Sequence, residues 1–99
     1  MSQVKFKTMM RNGRSVEVVA GWAQEKQCFH FGVWRLEPKL DEEAFLWGNL
    51  LSEDPYPVTV DSYKRVCHRL GIQVPPDFWE LVENKEGPIT WELTWKQSA

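Results

Sequence analysis

Apolar and polar residues alternate through the first third of the chain, and this pattern predicts a sheet with one face in water. Val4 and Phe6 alternate with Lys5 and Lys7, which is the period of two of a half-buried strand. The return strand is predicted from three β-branched residues, Val16, Val18 and Val19. Residues 27–36, QCFHFGVWRL, predict a third strand paired with the second.

The first two strands are predicted to form a hairpin, because Asn12 and Gly13 lie between them. Both residue types accept the positive φ angles of a two-residue type I′ turn. After the third strand, residues 37–44 predict a surface connection, since a proline and three successive acids interrupt the alternation. Residues 45–51 predict either a short fourth strand or one turn of helix, followed by a loop over residues 52–57.

The period of the pattern changes after Thr59 and predicts two helices. Four apolar residues fall at the spacing of an amphipathic helix, Tyr63, Val66, Cys67 and Leu70. Thr59 is the predicted N-cap of this helix, and Gly71 is predicted to end it. A second, shorter helix is predicted from Pro76, with Asp77 in its first turn. Its inward face is predicted to carry Phe78, Leu81 and Val82.

The last alternating segment predicts one more strand. Its apolar face is predicted to consist of Ile89, Trp91, Leu93 and Trp95. Long alternating segments with one apolar face are typical of an antiparallel sheet that is covered on one side. The sequence therefore predicts a single α+β domain over residues 1–99, a small antiparallel sheet of four to five strands covered on one face by two helices.

The composition is that of a folded domain, with 42% apolar and 26% charged residues among 99. The six tryptophans are predicted to lie in the core, because large aromatic side chains bury much area in a small domain. Two cysteines are fewer than a secreted domain of this size usually carries. No segment has the roughly 20 apolar residues of a membrane span, and the N-terminus lacks the apolar region of a secretory signal. A cytoplasmic location is therefore expected.

Cys28 and His30 share one face of the third strand, which raises the question of a metal site. Cys67 and His68 would supply two further ligands. Adjacent residues on a helix diverge by about 100°, so Cys67 in the apolar stripe directs His68 to solvent. We therefore expect no metal site, a buried Cys67 and an exposed His68.

Catalytic motifs are missing from the sequence. It has no glycine-rich phosphate loop, no G-x-S-x-G segment and no H-E-x-x-H segment. Cys67 is placed near the C-terminal end of its predicted helix, where the helix dipole disfavours a thiolate. We expect a protein that is not an enzyme, with no catalytic residues and no cofactor.

Charge is unevenly distributed along the chain. Residues 1–39 contain seven lysines and arginines and three acids, whereas residues 40–54 contain five acids and no base. These acids bracket large apolar residues, which resembles the rim and centre of a protein interface. A solvated loop is the alternative explanation of such a charge run. The predicted partner-binding residues are Asp41, Glu42, Glu43, Phe45, Trp47, Glu53 and Asp54.

Three segments, VVAGW, FHFGVW and LGIQVPPDFWELV, together resemble small uncharacterised proteins carried on bacterial accessory and mobile DNA. The resemblance covers residues 16–86 and assigns no functional residue. The small size, mild acidity and single domain also resemble the anti-CRISPR class of phage inhibitors. These likenesses imply a protein that inhibits a host complex.

Three hypotheses follow for the function. The first is a non-enzymatic protein-binding module, an inhibitor from a phage or mobile element that covers a basic, nucleic-acid-handling surface of a host protein complex. The second is a single-stranded nucleic-acid binder that uses the basic N-terminal hairpin, which the net charge of −2 makes less favourable. The third is a small structural subunit that forms a homodimer.

Overall fold

The computed structural model describes residues 3–51, 57–84 and 90–93, and these residues form an α+β fold. The strands are β1 (Gln3–Met9), β2 (Ser15–Ala23), β3 (Cys28–Arg35), β4 (Phe45–Gly48) and β5 (Thr90–Leu93). The helices are α1 (Asp61–Leu70) and α2 (Phe78–Glu83). A 3-10 turn, Asn49–Leu51, follows β4, so residues 45–51 contain both of the predicted alternatives. The predicted fold class is confirmed.

The strands form one sheet in the order β4-β3-β2-β1-β5. β1 to β4 are antiparallel neighbours, as predicted. β5 instead pairs in parallel with β1, with Gln3 opposite Thr90 and Phe6 opposite Leu93. Parallel strands cannot be joined by a tight hairpin, and β2 to β4, α1 and α2 separate β1 from β5 along the chain. The described part of the structure does not include the side chains predicted to form the apolar face of this strand, which are Ile89, Trp91, Leu93 and Trp95.

The core lies between one face of the sheet and the two helices. The sheet contributes alternate residues of β1 to β3, namely Val4, Phe6, Val16, Val18, Ala20, Trp22, Phe29, Phe31 and Val33. The helices contribute Tyr63, Val66, Cys67, Phe78 and Val82. The ring of Tyr63 stacks on that of Phe31 at 4.9 Å between centroids, and its hydroxyl donates to the carbonyl of Phe29 at 2.7 Å. The predicted apolar stripe of α1 therefore packs inward.

The β1–β2 hairpin is present, but its turn differs from the predicted two-residue type. The N–H of Gly13 donates to the carbonyl of Met10, and the N–H of Met10 donates to the carbonyl of Arg14, both at 2.9 Å. The loop therefore has three residues, and among them only Gly13 has a positive φ, +84°. The side chain of Asn12 accepts the N–H of Arg14 at 2.9 Å. A three-residue loop needs one left-handed residue where a type I′ turn needs two.

The end of α1 follows the prediction, and its start does not. Val60 occupies the N-cap position and makes no side-chain capping bond, so Thr59 is not the cap. Gly71 ends the helix with a left-handed φ of +71°. The N–H groups of Gly71 and Ile72 donate to carbonyls of the last helical turn at 3.1 and 2.9 Å. This double capping is the reason for a glycine at this position.

Candidate functional site

The sheet face opposite the helices carries the residues that alternate with the core. The cross-strand register arranges them in two rows that run from β1 to β4. One row consists of Lys5, Val19, Gly32 and Gly48, and the next consists of Lys7, Glu17, Trp34 and Phe45. Lysines thus lie at one side of this face and aromatic rings at the other.

Trp34 and Phe45 form an exposed aromatic pair on this face. Their ring centroids are 5.8 Å apart at an interplanar angle of 68°, an edge-to-face contact. Their side chains keep 37% and 39% exposure. The rings lie over Gly32 and Gly48, because a Cβ on either glycine would come within 2.2 Å of the Trp34 ring or 2.7 Å of the Phe45 ring. The two glycines therefore form a flat floor for the pair.

The exposure of Trp34 corrects the prediction that the tryptophans are core residues. Trp22 is buried, and Trp47 and Trp79 are half-buried against the core. Trp34 differs because it shares its strand face with Gly32 rather than with the buried Phe31. The alternation within β3 already separated these two faces, so the signal for an exposed tryptophan was present in the sequence.

Exposed acidic side chains lie in the connection between β3 and β4. Glu37, Asp41 and Glu43 are exposed there, and we call them the acidic rim. Leu40 is fully exposed in the same segment. A single exposed leucine is common on protein surfaces and does not by itself indicate a binding site.

The fourth acid of this connection, Glu42, is held by two arginines. The guanidinium of Arg14 donates to both carboxylate oxygens, and Nε of Arg35 lies 3.5 Å from Oε2. The backbone N–H of Lys39 donates to Oε1 at 3.2 Å. The hydrogen bond from Arg14, followed by that from Lys39, lowers the pKa of Glu42 to about 2. We call this arrangement the Glu42 clamp, because it ties the β3–β4 connection to the ends of β2 and β3.

Three of the predicted partner-binding residues are exposed within one short stretch of the chain. Asp41 and Glu43 are exposed in the connection that leads into β4, and Phe45 is exposed at the start of that strand. Glu42 lies between the two acids in sequence, but its charge is balanced within the chain. Trp34 was missed as a candidate because it was assigned to the core.

Of the remaining predicted partner-binding residues, the structure describes Trp47. Trp47 faces the helices, where its ring contacts those of Phe31 and Tyr63 at 5.7 and 6.3 Å between centroids. Its ring therefore packs against the core, and the side chain is half-buried. Glu53 and Asp54 lie outside the described residues.

The cysteines and histidines of the sheet and of α1 are placed as the patterns predict. Cys67 is buried at 2% exposure, and this burial raises the pKa of its thiol to about 12, whereas His68 is exposed. Cys28 is buried and His30 is half-buried on the open sheet face. A protonated, buried thiol is a poor nucleophile and a poor metal ligand. Among the described residues, no three His, Cys, Asp or Glu side chains converge on a point where they could hold a metal ion.

Two further findings bear on the kind of site. Within residues 3–51, 57–84 and 90–93, no helix has the length and apolar character needed to cross a bilayer. Comparisons with known protein families, with curated proteins and with solved structures found no match.

Proposed function

We propose that this chain is a non-enzymatic protein-binding module. Its contact surface consists of the aromatic pair, Trp34 and Phe45, together with the acidic rim, Glu37, Asp41 and Glu43. The observation that carries the proposal is the aromatic pair itself, two half-exposed rings held in contact over a glycine floor.

The aromatic pair has the properties of an interface anchor. Tryptophan is among the residues that contribute most to binding energy when a partner covers them. The edge-to-face contact and the glycine floor restrict both rings before any partner arrives. Restricted side chains lose less conformational entropy on binding, so the pair is suited to a specific contact.

The acidic rim indicates the charge of the partner. Asp41 and Glu43 are exposed, whereas the charge of Glu42 is offset by Arg14 and Arg35. Carboxylates in such positions attract lysines and arginines and speed up association. A complex that handles nucleic acid presents such a basic surface, and carboxylates can take the place of phosphates there. The proposed partner is such a host complex, which a phage or mobile-element protein would inhibit by covering it.

Trp34→Ala tests the aromatic pair. The tagged wild-type protein and the variant are used to capture partners from bacterial lysate, and the partners are identified by mass spectrometry. Val58→Ala is the control, because Val58 is 70% exposed and lies away from the open face, next to α1. We expect the wild type and the control to recover the same basic partner, and Trp34→Ala to recover at least tenfold less. Equal recovery by Trp34→Ala would place the contact elsewhere.

The double variant Asp41→Lys and Glu43→Lys tests the acidic rim with the purified partner. Glu42 is left in place, since its reversal would set a third cation against Arg14 and Arg35. We expect a slower association rate, with the largest effect at low salt and little change in dissociation. If the association rates match those of the wild type at every salt concentration, the acidic rim is a solvated loop that does not contact the partner.

Single-stranded nucleic acid is a second candidate ligand, because Lys5 and Lys7 occupy the same sheet face as the aromatic pair. Bases stacked on aromatic rings beside lysines are a common mode of binding. Glu17 lies between Lys7 and Trp34, and it weakens this arrangement. We expect oligonucleotide binding that is weak and is lost at physiological salt. Submicromolar affinity at that salt would favour the second candidate, and a dimer that Trp34→Ala dissociates would favour the structural subunit.

A further inference from the structure

Four arginines line one cavity at the end of the sheet, where the β1–β2 hairpin meets the C-terminal end of α1. The cavity has a volume of about 410 Å³, and its arginines are Arg11, Arg14, Arg35 and Arg69. Its apolar lining includes Met10, Leu46 and Leu70. We call it the arginine cavity. This volume lies within the range of small-molecule sites, which is about 300–1,000 Å³.

The four arginines come from separate parts of the fold. Arg11 lies in the hairpin loop, and Arg14 lies just before β2. Arg35 ends β3, and Arg69 lies in the last turn of α1. A Cβ added to Gly71 would lie 2.4 Å from Cβ of Arg11, so the hairpin loop packs directly against the end of the helix. This packing brings Arg11 and Arg69 to the same cavity.

The positive charge of the cavity is only partly balanced. Glu42 pairs with Arg14 and Arg35 through the Glu42 clamp. Within the described part of the chain, neither Arg11 nor Arg69 has an ion pair, and no acid lines the cavity. Four guanidinium groups against one carboxylate leave an excess of positive charge at one place, which attracts an anion.

Capping of α1 does not require the two unpaired arginines. The N–H groups of Gly71 and Ile72 already bond to the carbonyls of His68 and Cys67. Arg11 and Arg69 are also both exposed, so a ligand can reach them. Both arginine side chains are therefore available to bind a ligand.

We propose that the arginine cavity binds a small organic phosphate, such as a nucleotide. A phosphate group carries about two negative charges at neutral pH and accepts paired N–H donors from guanidinium groups. In this arrangement Arg11 and Arg69 hold the phosphate, and Met10 and Leu70 contact the organic part. Arg11 and Arg69 belong neither to the aromatic pair nor to the acidic rim, so the proposal does not depend on the proposed protein-binding function.

The experiment measures binding of three probes by calorimetry at low ionic strength: inorganic phosphate, adenosine diphosphate and a short single-stranded oligonucleotide. We expect adenosine diphosphate to bind more tightly than inorganic phosphate, since it also uses the apolar wall. Arg69→Gln is expected to weaken its binding about tenfold, which is the loss of one charge-assisted hydrogen bond. Arg11→Gln is expected to have a similar effect. Thermal melting of each variant shows that the fold is retained.

Arg65→Gln is the matched control. Arg65 lies one turn before Arg69 on α1, is exposed, and does not line the cavity. Its substitution changes the net charge equally, so unchanged binding of adenosine diphosphate supports a local site. Three results overturn the proposal: no binding of adenosine diphosphate by the wild type, an equal loss in Arg65→Gln and Arg69→Gln, or binding of the oligonucleotide alone.

Discussion

Glu42 shows how the fold can pair, within the chain, a carboxylate that the sequence presents as a binding group. The sequence places it in the middle of an acidic run, where all neighbouring acids are equivalent. In the folded chain it is the one that meets Arg14 and Arg35, which are 28 and 7 residues distant in sequence. Such partners are set by the register of the strands, and an amino-acid pattern does not contain them.

The Glu42 clamp predicts a pH-dependent stability. The pKa of Glu42 falls from its ordinary value of 4.5 to about 2 in the folded protein. A carboxylate whose pKa is lowered by folding stabilises the protein above its ordinary pKa, and this stabilisation is lost as the pH falls towards the folded value. We therefore expect Glu42→Gln to lower the melting temperature from neutral pH down to about pH 4.5. The difference from the wild type should then shrink towards pH 2.

Melting curves followed by circular dichroism over this pH range provide the measurement. Glu25→Gln removes the same charge from an exposed position in the β2–β3 turn and should melt like the wild type at every pH. A difference between Glu42→Gln and the wild type that is as large at the acid end as at neutral pH contradicts the prediction.

The buried cysteines predict thiols that do not react in the folded protein. Cys28 and Cys67 are each 2% exposed, and burial raises the pKa of the Cys67 thiol to about 12. We expect a thiol reagent to modify neither cysteine at neutral pH until denaturant is added, and then to modify both. Val58→Cys introduces a thiol at a position that is 70% exposed, and this thiol should react at once. The variant therefore shows that the reagent is active under the conditions used. One equivalent of rapid modification in the wild type contradicts the prediction.

At the scale of elements, the hairpin loop and the end of α1 depend on each other. Both contain a glycine with a positive φ, Gly13 at +84° and Gly71 at +71°. A Cβ at Gly13 meets nothing within 4 Å, whereas a Cβ at Gly71 meets Cβ and backbone N of Arg11 at 2.4 and 3.1 Å. The two glycines thus share a backbone conformation and differ in packing.

This difference predicts unequal effects of two alanine substitutions. Gly13→Ala should lower the free energy of unfolding by about 1–2 kcal/mol, the cost of a left-handed residue with a side chain. Gly71→Ala should add about 1–3 kcal/mol to that cost, because the hairpin loop must move away from the helix. Denaturant unfolding monitored by tryptophan fluorescence measures both values. Equal values would mean that the loop yields to the new methyl group without loss of packing.

At the scale of the whole molecule, the sequence predicted the two layers and the β1–β2 and β2–β3 pairs, but not the parallel pairing of β5 with β1. The alternation of Val4 and Phe6 with lysines, and the stripe that includes Tyr63 and Val66, are local patterns that secondary structure preserves. Of the aromatic pair, Phe45 was among the predicted partner-binding residues. Trp34 was missed because its hydrophobicity favoured the core and the strand face that it shares with Gly32 was not considered. The arginine cavity joins four arginines from three segments of the chain, so no local pattern could indicate it.

The parallel pairing of β5 with β1 has a consequence for synthesis on the ribosome. β1 is the first of the described elements to emerge from the ribosome. β5, which pairs with β1 on the side away from β2, is the last. During most of translation the outer edge of β1 therefore presents unpaired N–H and C=O groups, which can pair with strands of other nascent chains. The time that passes before residues 90–93 emerge sets how long the chain is exposed to this misassociation. Slow codons between β4 and β5 would lengthen that interval without changing any contact of the finished fold.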